Sequence, residues 1–243
     1  MRTLAPLGRR TTEIVARNEY GPYVVLTAAD DGPAPDPGQF YMLTAAERWG
    51  GGEDERPFLP RAFSVMRARD GLLDFLLEDV GPGTRRLAEL DRGDEICLLG
   101  PLGRGFTQPR DGRRPVLVGG GVGIAPLVIW GDNLDDPTTL LGFRDADHAE
   151  GAALIPEARV ITDEDGFVTD LLRDELPGHV EVYACGPPAM LDAVAAICAE
   201  HGVPGQLAME SGMACGFGAC FGCVVPTKYG YVRLCVDGPV IHL

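Results

Sequence analysis

The sequence predicts a β + α/β protein in three parts: an antiparallel β-barrel, a doubly wound parallel sheet and a small cysteine-rich C-terminal segment. Three observations carry the prediction. Residues 11–108 contain short runs of β-forming residues separated by Gly/Pro turns. From Arg113 onward, apolar runs of strand length alternate with helical or polar pieces. The stretch ESGMACGFGACFGCVVP, Glu210–Pro226, then places three cysteines and four glycines in seventeen residues, with Cys235 following. These changes of pattern divide the chain at 1–110, 111–206 and 207–243.

The barrel strands are read from TTEIVARNEY, YVVLTA, QFYMLT, RAFSVMRA, LLDFLLEDV and DEICLLG. Regular spacing of such segments favours a small antiparallel barrel. AAERWGGGEDERPFLP has no usable period and is read as a surface loop between two strands. In the second part, PVLVGG is a continuous apolar run, as a strand buried on both faces requires, and VGIAPLVIWGDNL reads as the helix after it. TTLLGFRD, ARVITDED and HVEVYACG repeat the strand theme. PPAMLDAVAAICAEHG reads as a helix with two prolines in its first turn.

Composition narrows the function classes. At 243 residues the chain can bury two compact cores. A net charge of -15 argues against nucleic acid or an anionic membrane as partner, since both would be repelled. No run reaches the roughly 20 apolar residues that span a bilayer, and MRTLAPLGRR lacks the apolar core of a secretory signal. The expected location is the cytoplasm. Seven cysteines, four of them in the last twenty-nine residues, do not resemble a secreted disulfide framework.

Cys215, Cys220, Cys223 and Cys235 are spaced C-x4-C-x2-C-x11-C. This is the plant-type spacing for a [2Fe–2S] cluster, in which four thiolates hold two irons. Ala214, Gly216, Gly218, Ala219 and Gly222 let the backbone wrap closely and turn N–H groups toward the sulfurs. Zinc is the main alternative, although zinc knuckles present two C-x2-C pairs and only Cys220 and Cys223 form one here.

GGGVGIAP, Gly119–Pro126, follows an apolar strand and opens a helix. Gly119, Gly120, Gly121 and Gly123 suit backbone amides approaching a pyrophosphate at a helix N-terminus; a tight structural turn is the alternative. ACGPPAML supplies a second strand-to-helix turn with Cys185 and Gly186, and Cys185 either faces a nicotinamide or is a small buried hydrophobe. RAFS and GPGT add an arginine, a hydroxyl and a Gly-Thr at a helix start, a plausible phosphate clamp, although RAFS read alone favours an ordinary strand with the arginine solvated.

Taken in order, RxxS and GxGT, GGGxGxAPL and CGPPxML, and ESxMACGxGACxGC followed by CVDGPV resemble the ferredoxin-reductase superfamily. More closely they resemble the electron-transfer subunits of the NAD-dependent (class 1B) dihydroorotate dehydrogenases, over essentially the whole chain. The resemblance implies FAD on Arg61, Ala62, Phe63, Ser64, Leu76, Leu77, Glu78, Gly83 and Thr84, and NAD(H) at the glycine turn. It also implies an FMN-containing catalytic subunit as partner, in a heterotetramer of two of each. Two residues depart from the family pattern: Ala62 replaces the usual proline, and Glu78 stands where a basic residue is common.

The three sites form a logical set. Nicotinamide moves two electrons as hydride and a [2Fe–2S] cluster takes one at a time, so a flavin is needed between them. No motif is left over for a carbon substrate, and none of His148, His179, His201 or His242 falls in a catalytic pattern. A reductase subunit of a cytoplasmic hydrogenase, or a ferredoxin:NAD(P) oxidoreductase, carries the same three sites. Arg144 could meet a 2′-phosphate, but Asp145 beside it would repel one.

Overall fold

A computed structural model describes residues 9–50, 57–227 and 230–243. Residues 1–8 of the expected first part, and residues 51–56 of the expected surface loop, lie outside them.

The first part is a closed barrel. Strands β1 (Arg10–Tyr20), β2 (Tyr23–Ala29), β3 (Phe40–Ala45), β4 (Arg61–Arg69) and β5 (Leu72–Glu78) are followed by a short helix α1 (Pro82–Ala88) and by β6 (Glu95–Leu102). The barrel order is β1-β2-β5-β4-β3-β6, with every pairing antiparallel. Period-2 alternation decides what each face does. On β5, Leu73, Phe75 and Leu77 enter the barrel core with Leu26, Tyr41 and Leu98, while Leu76 points the other way.

The second part is a six-stranded sheet. It is built from β7 (Arg114–Gly120), α2 (Ala125–Gly131), β8 (Thr138–Phe143), α3 (Ala146–Ala149), β9 (Arg159–Thr162), α4 (Val168–Glu175), β10 (Val180–Cys185), α5 (Pro188–His201) and β11 (Gly205–Ala208). Val116, Val118, Val182 and Ala184 face α4 and α5. Their neighbours Leu117 and Tyr183 face Leu127 and Trp130 of α2. Helices therefore cover both faces, which is why these strands read as unbroken apolar runs. Pro188 opens α5, and Gly202, in the left-handed region at φ 64, ends it.

The third part is an excursion rather than a separate unit. After β11 the chain leaves the sheet, forms a hairpin of β12 (Val224–Thr227) and β13 (Gly230–Arg233), and returns as β14 (Val240–His242). β14 pairs antiparallel with β11, so the sheet order is β14-β11-β10-β7-β8-β9, parallel except at that edge. A division at 206/207 cuts β11. β14 is not legible in the sequence, because its three residues are too few to show a period.

Two apolar contacts position the parts. Tyr23, Val25, Met66 and Leu76 of the barrel form one core with Ile124, Ala125, Val128, Leu141 and Phe143 of the sheet domain. Phe40, Met42 and Leu102, on another face of the barrel, bury Cys223, Leu234 and Cys235.

Candidate functional site

Two cavities lie along the seam. The first is lined by Arg61, Ala62, Phe63, Ser64, Leu76, Glu78 and Thr84 from the barrel, with Ala125 and Ser211 from the other parts. The second is lined by Gly120, Gly121, Gly123 and Gly186, and by Arg144, His148, Asp163, Phe167 and Met190. They share Glu78, Val122 and Glu210. The segment carrying the four cysteines leaves directly from Glu210.

Each part of the first wall has a local cause. Arg61 Nη1 donates to Leu59 O at 2.6 Å and its guanidinium lies 5.9 Å from the Trp49 ring centre. Gly83 is glycine because a Cβ there would come within 2.6 Å of Arg61 Nη2. Thr84 Oγ1 accepts the N–H groups of Val80 (2.9 Å) and Gly81 (3.0 Å), which fixes the turn into α1. Leu77 differs from the other expected residues. Strand alternation sends its side chain into the barrel core, so only its backbone is available to the cavity.

The glycine turn sorts into two kinds of residue. Gly120, Gly121, Gly123 and Gly186 line the second cavity. Gly119 does not: a Cβ there would press on Leu141, Ile124 and Leu127 at 2.9–3.1 Å, so it is glycine for packing. Cys185 is also off the wall, 1% exposed among Leu117, Tyr183 and Ala208. Burial, and then the nearby Glu210 carboxylate, push its thiol well above the ordinary range. The expectation that Cys185 faces a nicotinamide gives way to its alternative, a small buried hydrophobe.

The cysteines form two pairs. Cys223 Sγ and Cys235 Sγ lie 3.2 Å apart and buried, without a disulfide. Cys220 N–H points at Cys215 Sγ (3.4 Å), Gly222 N–H at Cys220 Sγ (3.4 Å) and Cys235 N–H at Cys223 Sγ (3.5 Å). Gly216 and Gly218 sit at φ 77 and 88, the left-handed region that makes this wrapping possible. Burial raises the Cys215 thiol, but N–H groups of Cys220, Phe217 and Ala219 outweigh it and bring it down to about 6. Burial and the Cys223 thiol push Cys235 up to about 12. Two adjacent buried sulfurs of this kind ionise together only around a cation. Among the described residues no three His, Cys, Asp or Glu side chains converge on one point. Two pairs, each presenting two sulfurs, fit a two-metal cluster better than a single zinc ion.

Comparison with known proteins agrees with this layout. Residues 210–243 match the iron–sulfur cluster binding domain of dihydroorotate dehydrogenase B. A dihydroorotate dehydrogenase B (NAD(+)) electron transfer subunit from Clostridium acetobutylicum is 38% identical over 84% of this chain and 83% of its own length. The protein of the same description from Desulforamulus reducens is 34% identical over 93% of this chain and 92% of its own. The chain belongs to this family of electron transfer subunits. Among solved structures, a chain of the NADH-dependent reduced ferredoxin-NADP oxidoreductase superimposes with a TM-score of 0.78 at 26% identity, covering 95% of this chain and 87% of that one. A ferredoxin reductase of carbazole 1,9a-dioxygenase shares the fold at a TM-score of 0.67 and 24% identity, covering 81% and 66%. The fold is that of the ferredoxin reductases, and the chain is a subunit of an oxidoreductase. No described helix is long and apolar enough to cross a membrane.

Three residues of the seam escaped the sequence reading. His148 is buried, with Nδ1 at 2.5 Å from Asp145 Oδ1 and Nε2 at 3.2 Å from Glu78 Oε1. Arg144 also reaches Glu78 Oε1, at 3.2 Å, and Asp145 Oδ2 at 3.5 Å. Glu78 therefore ties the barrel to the loop after β8, and Arg144 is already engaged by carboxylates rather than held ready for a phosphate. Glu210 lines both cavities, and burial raises its carboxyl above the usual range. Tyr23 lines the second cavity from the barrel side. The only sequence signals were a His three residues after an Asp and a Glu heading the cysteine motif.

Proposed function

We propose that this subunit carries electrons from the oxidation of dihydroorotate on an FMN-containing partner to NAD⁺, in a cytoplasmic heterotetramer of two copies of each chain. The observation that carries the reading is the meeting of the two cavities at Glu78, Val122 and Glu210, with the four-cysteine segment starting at Glu210. Two sites that share a wall, with the cysteine segment leaving from that wall, make a relay.

In this reading residues 1–110 hold FAD, 111–206 hold NAD(H), and 207–243 hold the cluster, with β11 and β14 joining the last two. Arg61, Ala62, Phe63, Ser64, Leu76, Glu78 and Thr84 bind the flavin by side chain or backbone, Leu77 by backbone alone, and Gly83 clears space for Arg61. Gly120, Gly121, Gly123 and Gly186 bring backbone close to the dinucleotide. Cys215 and Cys220 hold one iron, and Cys223 and Cys235 the other. Bound flavin exchanges hydride with nicotinamide and single electrons with a [2Fe–2S] centre, which is the conversion the relay needs. The chain's own task is positioning. Glu210 and Val122 close the seam, and the Glu78–His148–Arg144 cluster holds the two domains at a fixed separation. Phe217 and Phe221, 50% and 63% exposed beside the cysteines, form the face on which the catalytic subunit docks.

The isolated, flavin-loaded chain is expected to reduce a dye with NADH and to leave dihydroorotate untouched. Adding an FMN-containing catalytic subunit should create dihydroorotate:NAD⁺ activity. Dihydroorotate turnover by the chain alone would sink the division of labour. Coupling to a ferredoxin but to no dihydroorotate-oxidising partner would select the reductase of a ferredoxin or hydrogenase system instead.

A further inference from the structure

Tyr23 presents an anomaly that packing does not explain. It opens β2 on the barrel, is 0% exposed, and lies across from Glu78 in the β2–β5 register. Its ring is clamped. The His148 ring stands edge-on at 5.6 Å and 87°, the Phe143 ring lies at 6.4 Å, and a Cβ on Gly151 would touch the Tyr23 ring at 2.9 Å. Phenylalanine would make all of those contacts. The hydroxyl, by contrast, is buried and has no hydrogen-bond partner. A buried hydroxyl without a partner loses its hydration and gains nothing in return.

That hydroxyl sits at the wall of the second cavity, facing the glycine turn. An added Cβ on Gly121 would be 3.8 Å from Tyr23 Oη, and nothing else would lie within 4 Å of that Cβ. The nearby acceptors are committed elsewhere: Glu78 to Arg144 and His148, and Asp145 to His148 and Arg144. We infer that Tyr23 Oη is the barrel's hydrogen-bond donor to the pyrophosphate of a dinucleotide held at Gly120–Gly123. The inference rests on the nucleotide site proposed above and adds to it a contact from the opposite domain. Burial, and then the Glu78 carboxylate, raise the phenol well above its usual range, so it remains a donor at any working pH. A ligand bound to the glycine turn is thereby read by the flavin domain, because the residue that touches it lies in the β2–β5 pair whose other strand, β5, lines the flavin cavity.

The test is Tyr23→Phe in the flavin-loaded full chain, with ADP-ribose as the probe because it carries the pyrophosphate and undergoes no redox chemistry. The dissociation constant for ADP-ribose should rise about tenfold, the effect of losing one hydrogen bond to a charged acceptor. The ligand-free Tm should stay the same or rise, since the variant removes an unsatisfied group. A structural role would move the Tm the other way. An unchanged ADP-ribose constant overturns the inference, and so does a lowered Tm, which would mean the hydroxyl has a partner in the free protein. A wild-type chain without affinity for ADP-ribose would remove the nucleotide site itself, and this contact with it.

Discussion

Two glycine-rich turns serve this protein, and they use glycine for different reasons. In the turn after β7, the chain must pass close to other backbone. A Cβ on Gly123 would lie 2.5 Å from Cys185 O and 2.6 Å from Gly186 Cα, and one on Gly120 would lie 2.7 Å from Met190 Sδ. In the cysteine loop the backbone must turn left-handed, at Gly216 and Gly218 and even at Phe221, with φ 60, and the close contacts a Cβ would make at Gly216 and Gly218 are with the Met42 and Val236 side chains rather than with backbone. The first turn is buried and its shape is imposed by two strands that come side by side. The second is exposed at Phe217 and from Ala219 to Gly222, and its own N–H groups converge on sulfur. A turn shaped by its neighbours fails when a neighbour is struck. A turn shaped around a ligand fails when the ligand is lost.

Substitutions separate the two cases. Gly123→Ala should have the largest effect, because backbone on the facing side cannot move away. It is expected to cost about 3 kcal/mol or more and to lower Tm by roughly 10 °C, as read by calorimetry. Cys220→Ser comes next and should act on one site only. Cys220 is exposed, so the barrel and sheet should fold and retain flavin while iron falls to near zero, as assayed on the purified variant. Full iron retention would remove Cys220 from the ligand set. Gly121→Ala should be mildest, since its Cβ meets only Tyr23 Oη, at an unstrained 3.8 Å, and the left-handed φ of 55 resists it at about 1 kcal/mol. If Gly121→Ala proved as damaging as Gly123→Ala, the distinction between packing and conformational glycines in this turn would collapse.

What could be read from the sequence follows the range of the interactions. The barrel strands, the apolar strands of the sheet and α5 were legible because alternation, apolar run length and proline placement are local. The cluster-binding segment was legible for the same reason, since its cysteine spacing is local. That Leu77 can offer the cavity only its backbone was hidden, because a motif read as a string ignores which side of β5 each residue faces. The two readings of Cys185 could not be separated in the string because its neighbours Leu117, Tyr183 and Ala208 come from three strands. The seam cluster was invisible. Tyr23 and Glu78 are joined only by barrel closure, and His148 reaches them only after the two domains pack. Glu78 read only as a departure from a commonly basic position, yet it binds Arg144 and His148.

The return of β14 to β11 has a consequence for how such an electron entry point arises. Ala208 pairs with Val240, and Met209 N–H donates to Pro239 O at 3.0 Å. The whole cluster segment therefore begins and ends at one point on the edge of the sheet. To the sheet it is a hairpin tip, and the entropy of closing a tip grows only slowly with its length. An ancestral reductase with a tight turn there would gain a one-electron terminal by lengthening a single loop, whose two ends, at Glu210 and Pro239, also supply part of the cavity walls. The limit on such an exchange is set by the barrel. Phe40, Met42 and Leu102 need a cover, so any replacement tip must bring apolar side chains to lay over them.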